Sequence, residues 1–365
     1  MLRTSSSLAS LASLASAGRL ALAALTVASL SACASQVKQG SEPWSPPSYW
    51  DDEHFVEIAG ERICYLEAGP PADAPGVETL VFVHGWSGNL QNWWDQYEHF
   101  SLDHHVVVFD APGHGKSERD PEVSYTPELY VEVLDGLFDA LDIERATVIG
   151  NSAGGYIAAE FAIEHPEHVE RLVLSDSTGT RHLGSVAPVL PFLNARWLQI
   201  ANLTSGEHYP GQDPKSQARQ TFVASFEGTV EEAPYLRVLA DLLRPSYARI
   251  PKEALASIEA PTLVLWGDDD PIVPVKAMET FEDNIPTVTS YVIHLGGHTP
   301  MMTSPDEFNC ALRTFLSQAP MDGCKAYALT VQRRRDRLAG KEWGPRYDSA
   351  ALVDAAESST PAGQP

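Results

Sequence analysis

The sequence predicts an α/β fold: a mostly parallel central sheet with helices on both faces. Three observations predict it. Short, near-continuous apolar runs recur at 80–83, 106–109, 147–149, 172–174, 262–266 and 290–293, the pattern of strands buried on both faces. Helical stretches alternate with them, notably 127–141, where Leu129, Val133, Leu134, Leu137, Phe138 and Leu141 fall along one face, and 306–317. Finally, Gly150-Asn151-Ser152-Ala153-Gly154, extended by Gly155, stands between an apolar run and the helical stretch 156–165. A strand that turns sharply into a helix needs glycines two residues either side of the apex, because the two segments approach too closely for a Cβ.

In chain order, 55–58 and 62–67, joined by Ala59-Gly60-Glu61, predict an opening antiparallel hairpin, and a Pro-, Ala- and Asp-containing loop leads to the first buried strand. His84, Asp110, Ser152, Asp176, Asp270 and His298 all fall at or just beyond the carboxyl ends of predicted strands, where open α/β sheets bind ligands. From Asp176 to Thr262 no parallel-strand signal appears. So long a connection needs structure of its own, and the helical stretches 195–203, 215–226 and 235–243, broken by Pro188, Pro191, Pro210, Pro214 and Pro234, predict a lid.

Taken alone, the glycine-flanked serine also fits an ordinary Gly-Ser turn. Its context favours a nucleophile elbow: Gly267-Asp268-Asp269-Asp270-Pro271-Ile272-Val273-Pro274 and Gly296-Gly297-His298-Thr299-Pro300 follow in the order Ser, Asp, His. With Val81-Phe82-Val83-His84-Gly85-Trp86 and the stretch from Val106 to Ser117, including Asp110-Ala111-Pro112-Gly113-His114-Gly115, the chain resembles the α/β-hydrolase superfamily over about residues 55–318. The resemblance implies a core at 51–180 and 259–320 with a helical cap at 181–258. It also implies a triad of Ser152 as nucleophile, His298 as general base and then acid, and Asp270 as the carboxylate that orients the imidazole. Family spacing selects Asp270 over Asp268 and Asp269. Members that carry the acid one strand earlier would use Asp176, whose other reading is polar packing.

The backbone N–H groups of Trp86 and Ala153 are the implied oxyanion donors. The Trp86 side chain either narrows the acyl or leaving-group pocket or packs on the lid. His84, His114 and Asp110 read as loop-shaping residues, and His294 as part of the last strand. Trp93, Trp94, Phe192, Trp197, Phe222 and Phe226 read as pocket lining or plain core. The activity implied is hydrolysis of small to medium carboxylic esters through an acyl-serine. The same family holds carbon–carbon bond hydrolases, many of which follow His-Gly with further glycines and proline where this chain has Trp86-Ser87-Gly88-Asn89. A non-catalytic envelope lipoprotein on the same fold is the reading from another class. Epoxide hydrolases and haloalkane dehalogenases need Asp where Ser152 stands. Neither cofactor nor metal is expected, since no cysteine and histidine spacing resembles a metal site.

With 49 acidic against 25 basic residues and a formal net charge of −24, the chain would repel a phosphate backbone, which argues against a nucleic-acid partner. Residues 1–32 read as an export signal: Arg3 and Arg19 are its only charges, and the apolar run 20–30 is too short to span a bilayer. Leu30-Ser31-Ala32-Cys33 resembles a bacterial lipoprotein processing box that would leave Cys33 amino-terminal and lipid-modified, anchoring the protein to the envelope, with Ala34 favouring the outer membrane. The plainer alternative is a secretory signal cut near Ala32 or Ala34. Residues 33–50 then form a Pro-, Ser- and Gln-containing tether, and 321–365, with the run Arg333-Arg334-Arg335-Asp336-Arg337, a partly disordered tail. Export permits disulfides; Cys310 and Cys324 are candidates to clip the tail to the last helix, and Cys64 reads as a buried thiol. Composition does not specify an oligomeric state.

Overall fold

The computed structural model describes residues 53–180 and 249–324, apart from Ser87 and Pro121. The expected signal segment, Cys33, the tether, the cap from 181 to 248 and the tail from 325 lie outside the described residues. Eight strands form one sheet: β1 (His54–Ile58), β2 (Glu61–Ala68), β3 (Thr79–Val83), β4 (His105–Phe109), β5 (Ala146–Asn151), β6 (Val169–Ser175), β7 (Thr262–Gly267) and β8 (Val288–Ile293). Their order is β1-β2-β4-β3-β5-β6-β7-β8, antiparallel at β1/β2 and β2/β4 and parallel elsewhere. The opening hairpin closes through a two-residue turn in which Ala59 and Gly60 both have positive φ, 53° and 81°, and Glu61 joins the ladder opposite Ile58.

Between the strands lie α1 (Trp94–Phe100), α2 (Pro127–Ala140), α3 (Ala153–Glu164), α4 (Lys252–Leu255), α5 (Met278–Glu282), α6 (Pro300–Thr303) and α7 (Pro305–Leu316). Alternate strand residues serve opposite faces. Val81, Val107 and Val148 pack with Leu134, Phe138 and Phe161 of α2 and α3, whereas Phe82, Val106 and Val108 pack with Trp93, Phe100 and Phe308 on the α1/α7 side. Trp93 is fully buried, its ring 5.0 Å from Phe82 and 6.0 Å from Phe308, so it is core rather than pocket lining.

The fold departs from the sequence expectations in three places. Among the described residues β8 is the last strand of the sheet: it starts at Val288, and Thr289 and Ser290 are exposed. His294 lies past its end, in a turn. The core also begins before residue 259, for Ile250, Leu255 and Ile258 are buried among the α2/α3-side residues.

A disulfide joins Cys310 of α7 to Cys324, which is buried beneath that helix, while Cys64 is a buried free thiol in β2. Closing a loop over a sequence separation of 14 removes denatured-state entropy worth about 3 kcal/mol. Chemical denaturation of the Cys310→Ser/Cys324→Ser variant should therefore show a midpoint lower by an equivalent amount; an unchanged midpoint would mean that the clip adds no stability.

Candidate active site

The strand order reverses around β3, which has β4 on one side and β5 on the other. A crevice opens beyond the carboxyl ends at such a point. The loop after β3 and the turn after β5 meet there. Ser152 sits at the turn between β5 and α3 with φ 55° and ψ −118°, a strained conformation for a residue with a Cβ. Its N–H donates to the Ser175 carbonyl at 3.0 Å, and its own carbonyl accepts from the Thr178 N–H at 3.0 Å, so β6 and the loop after it hold the strained residue in place. A Cβ on Gly154 would run into the Val83 carbonyl oxygen, and one on Gly150 into the carbonyl of Gly154. The glycine requirement read from the sequence is thus a requirement for close backbone passage.

Ser152, Asp270 and His298, far apart along the chain, come together. His298 Nε2 lies 2.8 Å from Ser152 Oγ and its Nδ1 lies 2.7 Å from Asp270 Oδ2. All three are buried to within a few per cent of exposure, which strengthens each polar contact. The other Asp270 oxygen accepts from the Ile272 and Val273 N–H groups at 2.7 and 3.0 Å, which sets the carboxylate's angle toward the imidazole. Nδ1 facing a carboxylate carries the proton, leaving the Nε2 lone pair aimed at the hydroxyl. This arrangement can take a proton from Ser152 as it attacks and return it to a leaving group.

Gly85 backs onto the nucleophile: a Cβ built on it would be 3.0 Å from Ser152 Cβ. The following residue, Trp86, is half-buried. Ala153 is the first residue of α3, so its N–H has no acceptor within the helix. Ala153, one of the two expected oxyanion donors, directly follows the serine.

Asp176, the alternative acid, follows β6 and is fully buried, but the imidazole bonds Asp270. One Asp176 oxygen accepts from the Gly267 N–H and the other from Ser175 Oγ, each at 2.9 Å. Burial, and then the neighbouring Asp270 charge, pushes its carboxyl well above the ordinary range. Asp110 ties two loops together. Its oxygens accept from the N–H groups of Leu90 and Lys116 at 2.7 Å each, while burial outweighs those bonds and raises its pKa to about 6.

His84 is locked in one tautomer, its Nδ1–H donating to the Gly85 carbonyl at 2.8 Å and its Nε2 accepting from the Ala111 N–H at 2.9 Å. Burial pushes its pKa down to about 4; burial and then the neighbouring His84 push His114 to about 3. The unfolded chain binds protons at these imidazoles below its ordinary value of 6.5 and the folded chain does not, so their contribution is full above pH 6.5 and is lost as pH falls toward 4. Asp110 contributes oppositely, since its raised value favours the folded chain as pH falls through about 6. A difference measurement isolates the histidine. The destabilisation caused by His84→Asn should shrink by ~2–3 kcal/mol between pH 7 and 4.5 in urea unfolding. A penalty independent of pH would show that His84 is not held neutral.

The sequence did not single out several residues that shape the site. Asn151 Nδ2 donates to the carbonyls of His298 and Ser175 at 3.1 and 3.2 Å, tying the elbow to the histidine loop. Asp269 accepts from the Gly297 N–H at 2.7 Å. Asp268 accepts from the Leu295 N–H at 2.8 Å and faces His294 Nδ1 at 2.7 Å. The acids beside Asp270 thus clamp the loop that carries His298. The only signal for these roles was their place inside the motifs.

The sheet, the elbow and this constellation define a hydrolase, and the chain belongs to the family described by the alpha/beta hydrolase fold, whose sequence profile matches residues 78–305. It is 29% identical over 270 residues to the 2-hydroxy-6-oxononadienedioate/2-hydroxy-6-oxononatrienedioate hydrolase of Paraburkholderia phymatum, covering 70% of this chain and 91% of that protein. Among solved structures it resembles a bacterial membrane phospholipase A described as a virulence factor, with TM-score 0.63 and 26% identity over 86% of this chain and 98% of the other. A meta-cleavage product hydrolase from Pseudomonas fluorescens IP01 superposes with TM-score 0.62 at 20% identity, over 73% of this chain and 98% of that one, a likeness of fold alone.

Proposed function

We propose that this chain hydrolyses its substrate through an acyl-Ser152 intermediate, with His298 as base and then acid, Asp270 as its orienting carboxylate, and the Trp86 and Ala153 N–H groups as the oxyanion hole. The observation that carries this reading is the Asp270–His298–Ser152 chain of contacts at 2.7 and 2.8 Å. Chemically, Ser152 Oγ bonds to the substrate carbonyl carbon while its proton passes to His298. The tetrahedral adduct expels the leaving group, which takes that proton, and water repeats the sequence to release the acid.

For the substrate, the first reading is a 2-hydroxy-6-oxo-dienoate, cleaved at a carbon–carbon bond. The curated relatives carry this chemistry in their names over about 70% of the chain, and they favour it over the ester expectation from sequence. Carbon can depart only when conjugation spreads its charge, and a dienoate provides that conjugation. A carboxylic ester is the second reading, favoured by the likeness to a phospholipase A over 86% of the chain and by Trp86-Ser87-Gly88-Asn89 in place of a glycine- and proline-rich loop. Nitrophenyl esters of graded acyl length, assayed beside a 2-hydroxy-6-oxo-dienoate, decide between them. The first reading expects kcat/KM for the dienoate at least ~100-fold above the best ester; the reverse ranking assigns an esterase.

The cap over this site and the envelope anchor at Cys33 are part of the same proposal. Support for export comes from the Cys310–Cys324 disulfide, a bond that persists in oxidising compartments. Among the described residues no helix is long and apolar enough to cross a membrane; the anchor proposed is a lipid on Cys33. Mass spectrometry of the mature amino terminus tests it: a diacylglyceryl-modified Cys33 is expected, and an unmodified one excludes the anchor.

A further inference from the structure

We infer that Asp135, His165 and His168 form a binding site for a divalent late first-row transition metal, zinc foremost, at the end of α3 opposite the triad. Asp135 projects from α2, His165 caps the carboxyl end of α3, and His168 ends the single 3-10 turn Pro166–His168 that follows. One potential ligand atom from each residue lies within 4.8 Å of the others. Asp135 Oδ1 is 3.1 Å from His165 Nδ1 and 3.9 Å from His168 Nε2. Ligand atoms around tetrahedral zinc, with bonds of about 2.0–2.1 Å, stand ~3.3 Å apart, so side-chain rotation of about 1 Å closes the set.

The hydrogen bonding orients His168 for ligation through Nε2. His168 Nδ1 lies 2.8 Å from the Glu144 carbonyl oxygen, which can only accept, so Nδ1 carries the proton. Nε2 is then the ring nitrogen that faces Asp135 Oδ1, 3.9 Å away, and the atom a metal would take. The Nδ1–H to carbonyl bond is also the supporting contact that metal-bound imidazoles commonly make. The rings are set in place by packing: His165 stacks on Phe161 at 5.0 Å and His168 lies 5.6 Å from Phe138. Two imidazoles and a carboxylate suit zinc and its neighbours better than magnesium or calcium. The three side chains are a quarter to a third exposed, which leaves a coordination position for water and a path for the ion to enter. Because α3 runs 12 residues from Ser152, about 18 Å, the site clips α2 to α3 without touching the reacting groups. The sequence hid it because Asp135 belongs to a different helix.

Calorimetric titration of the chelator-stripped full chain with zinc chloride tests the site. One equivalent should bind with Kd below ~0.1 mM, at least tenfold more weakly in Asp135→Asn and in His168→Gln, with hydrolysis unchanged in both variants as the check on folding. Binding that is unaltered in both variants, or absent below millimolar zinc, overturns the proposal. Cobalt(II) gives a second reading on the unaltered chain: intense visible absorption supports a low-coordinate nitrogen and oxygen site, and the spectrum of the hydrated ion alone overturns it.

Discussion

Replacing Ser152 with alanine should reduce turnover of the best substrate by at least about 10⁴-fold, leaving only what the oxyanion donors and substrate binding supply. The Ser152 hydroxyl lies 2.8 Å from His298 Nε2, the base proposed to take its proton as it attacks. Losing Oγ removes one hydrogen bond at a site whose strained backbone is held independently by the Ser175 and Thr178 contacts, so the variant should fold. Single-turnover kinetics with matched unfolding curves check both halves of that expectation. Turnover within tenfold of the parent would remove Ser152 from the mechanism.

Asp270→Asn should lower kcat by about 10³–10⁴-fold with little change in KM. An amide in that position can present its NH₂ to His298 Nδ1, favouring the tautomer that puts a proton on Nε2 and leaves no lone pair for the Ser152 hydroxyl. Asp176→Asn is the discriminating control. The imidazole bonds Asp270 rather than Asp176, and asparagine keeps the shape of Asp176 and an oxygen to accept from the Gly267 N–H, so kcat should change by less than about tenfold. If the effects were reversed, with Asp176→Asn the crippling change, the working acid would be the one after β6.

Much of this was legible because local rules and tertiary needs coincide. The runs that became β3, β4, β5 and β7 are mostly apolar, and the structure buries every residue in them. At the elbow, steric exclusion writes itself into the sequence as glycine. Other features depend on contacts that have no local period. Thr289 and Ser290 are exposed in β8, the last strand of the sheet among the described residues. Asp268 and Asp269 looked like competitors of Asp270 until their bonds to Leu295 and Gly297 appeared. Asn151 was one letter in a motif, yet it ties the elbow to the His298 carbonyl. The Asp135, His165 and His168 grouping exists only once α2 packs on α3. Substrate preference was the least legible, because carbon–carbon and ester cleavage share the same triad and differ in the shape of the acyl pocket.

Reaction of the folded protein with a fluorophosphonate, followed by peptide mass spectrometry, tests the central claim most directly. One phosphonyl group should appear on Ser152, labelling should fall at least a hundredfold in His298→Ala, and no other serine should react at a comparable rate. A folded protein that stays unlabelled, or that carries the adduct on another residue, would contradict the assignment of Ser152 as the nucleophile.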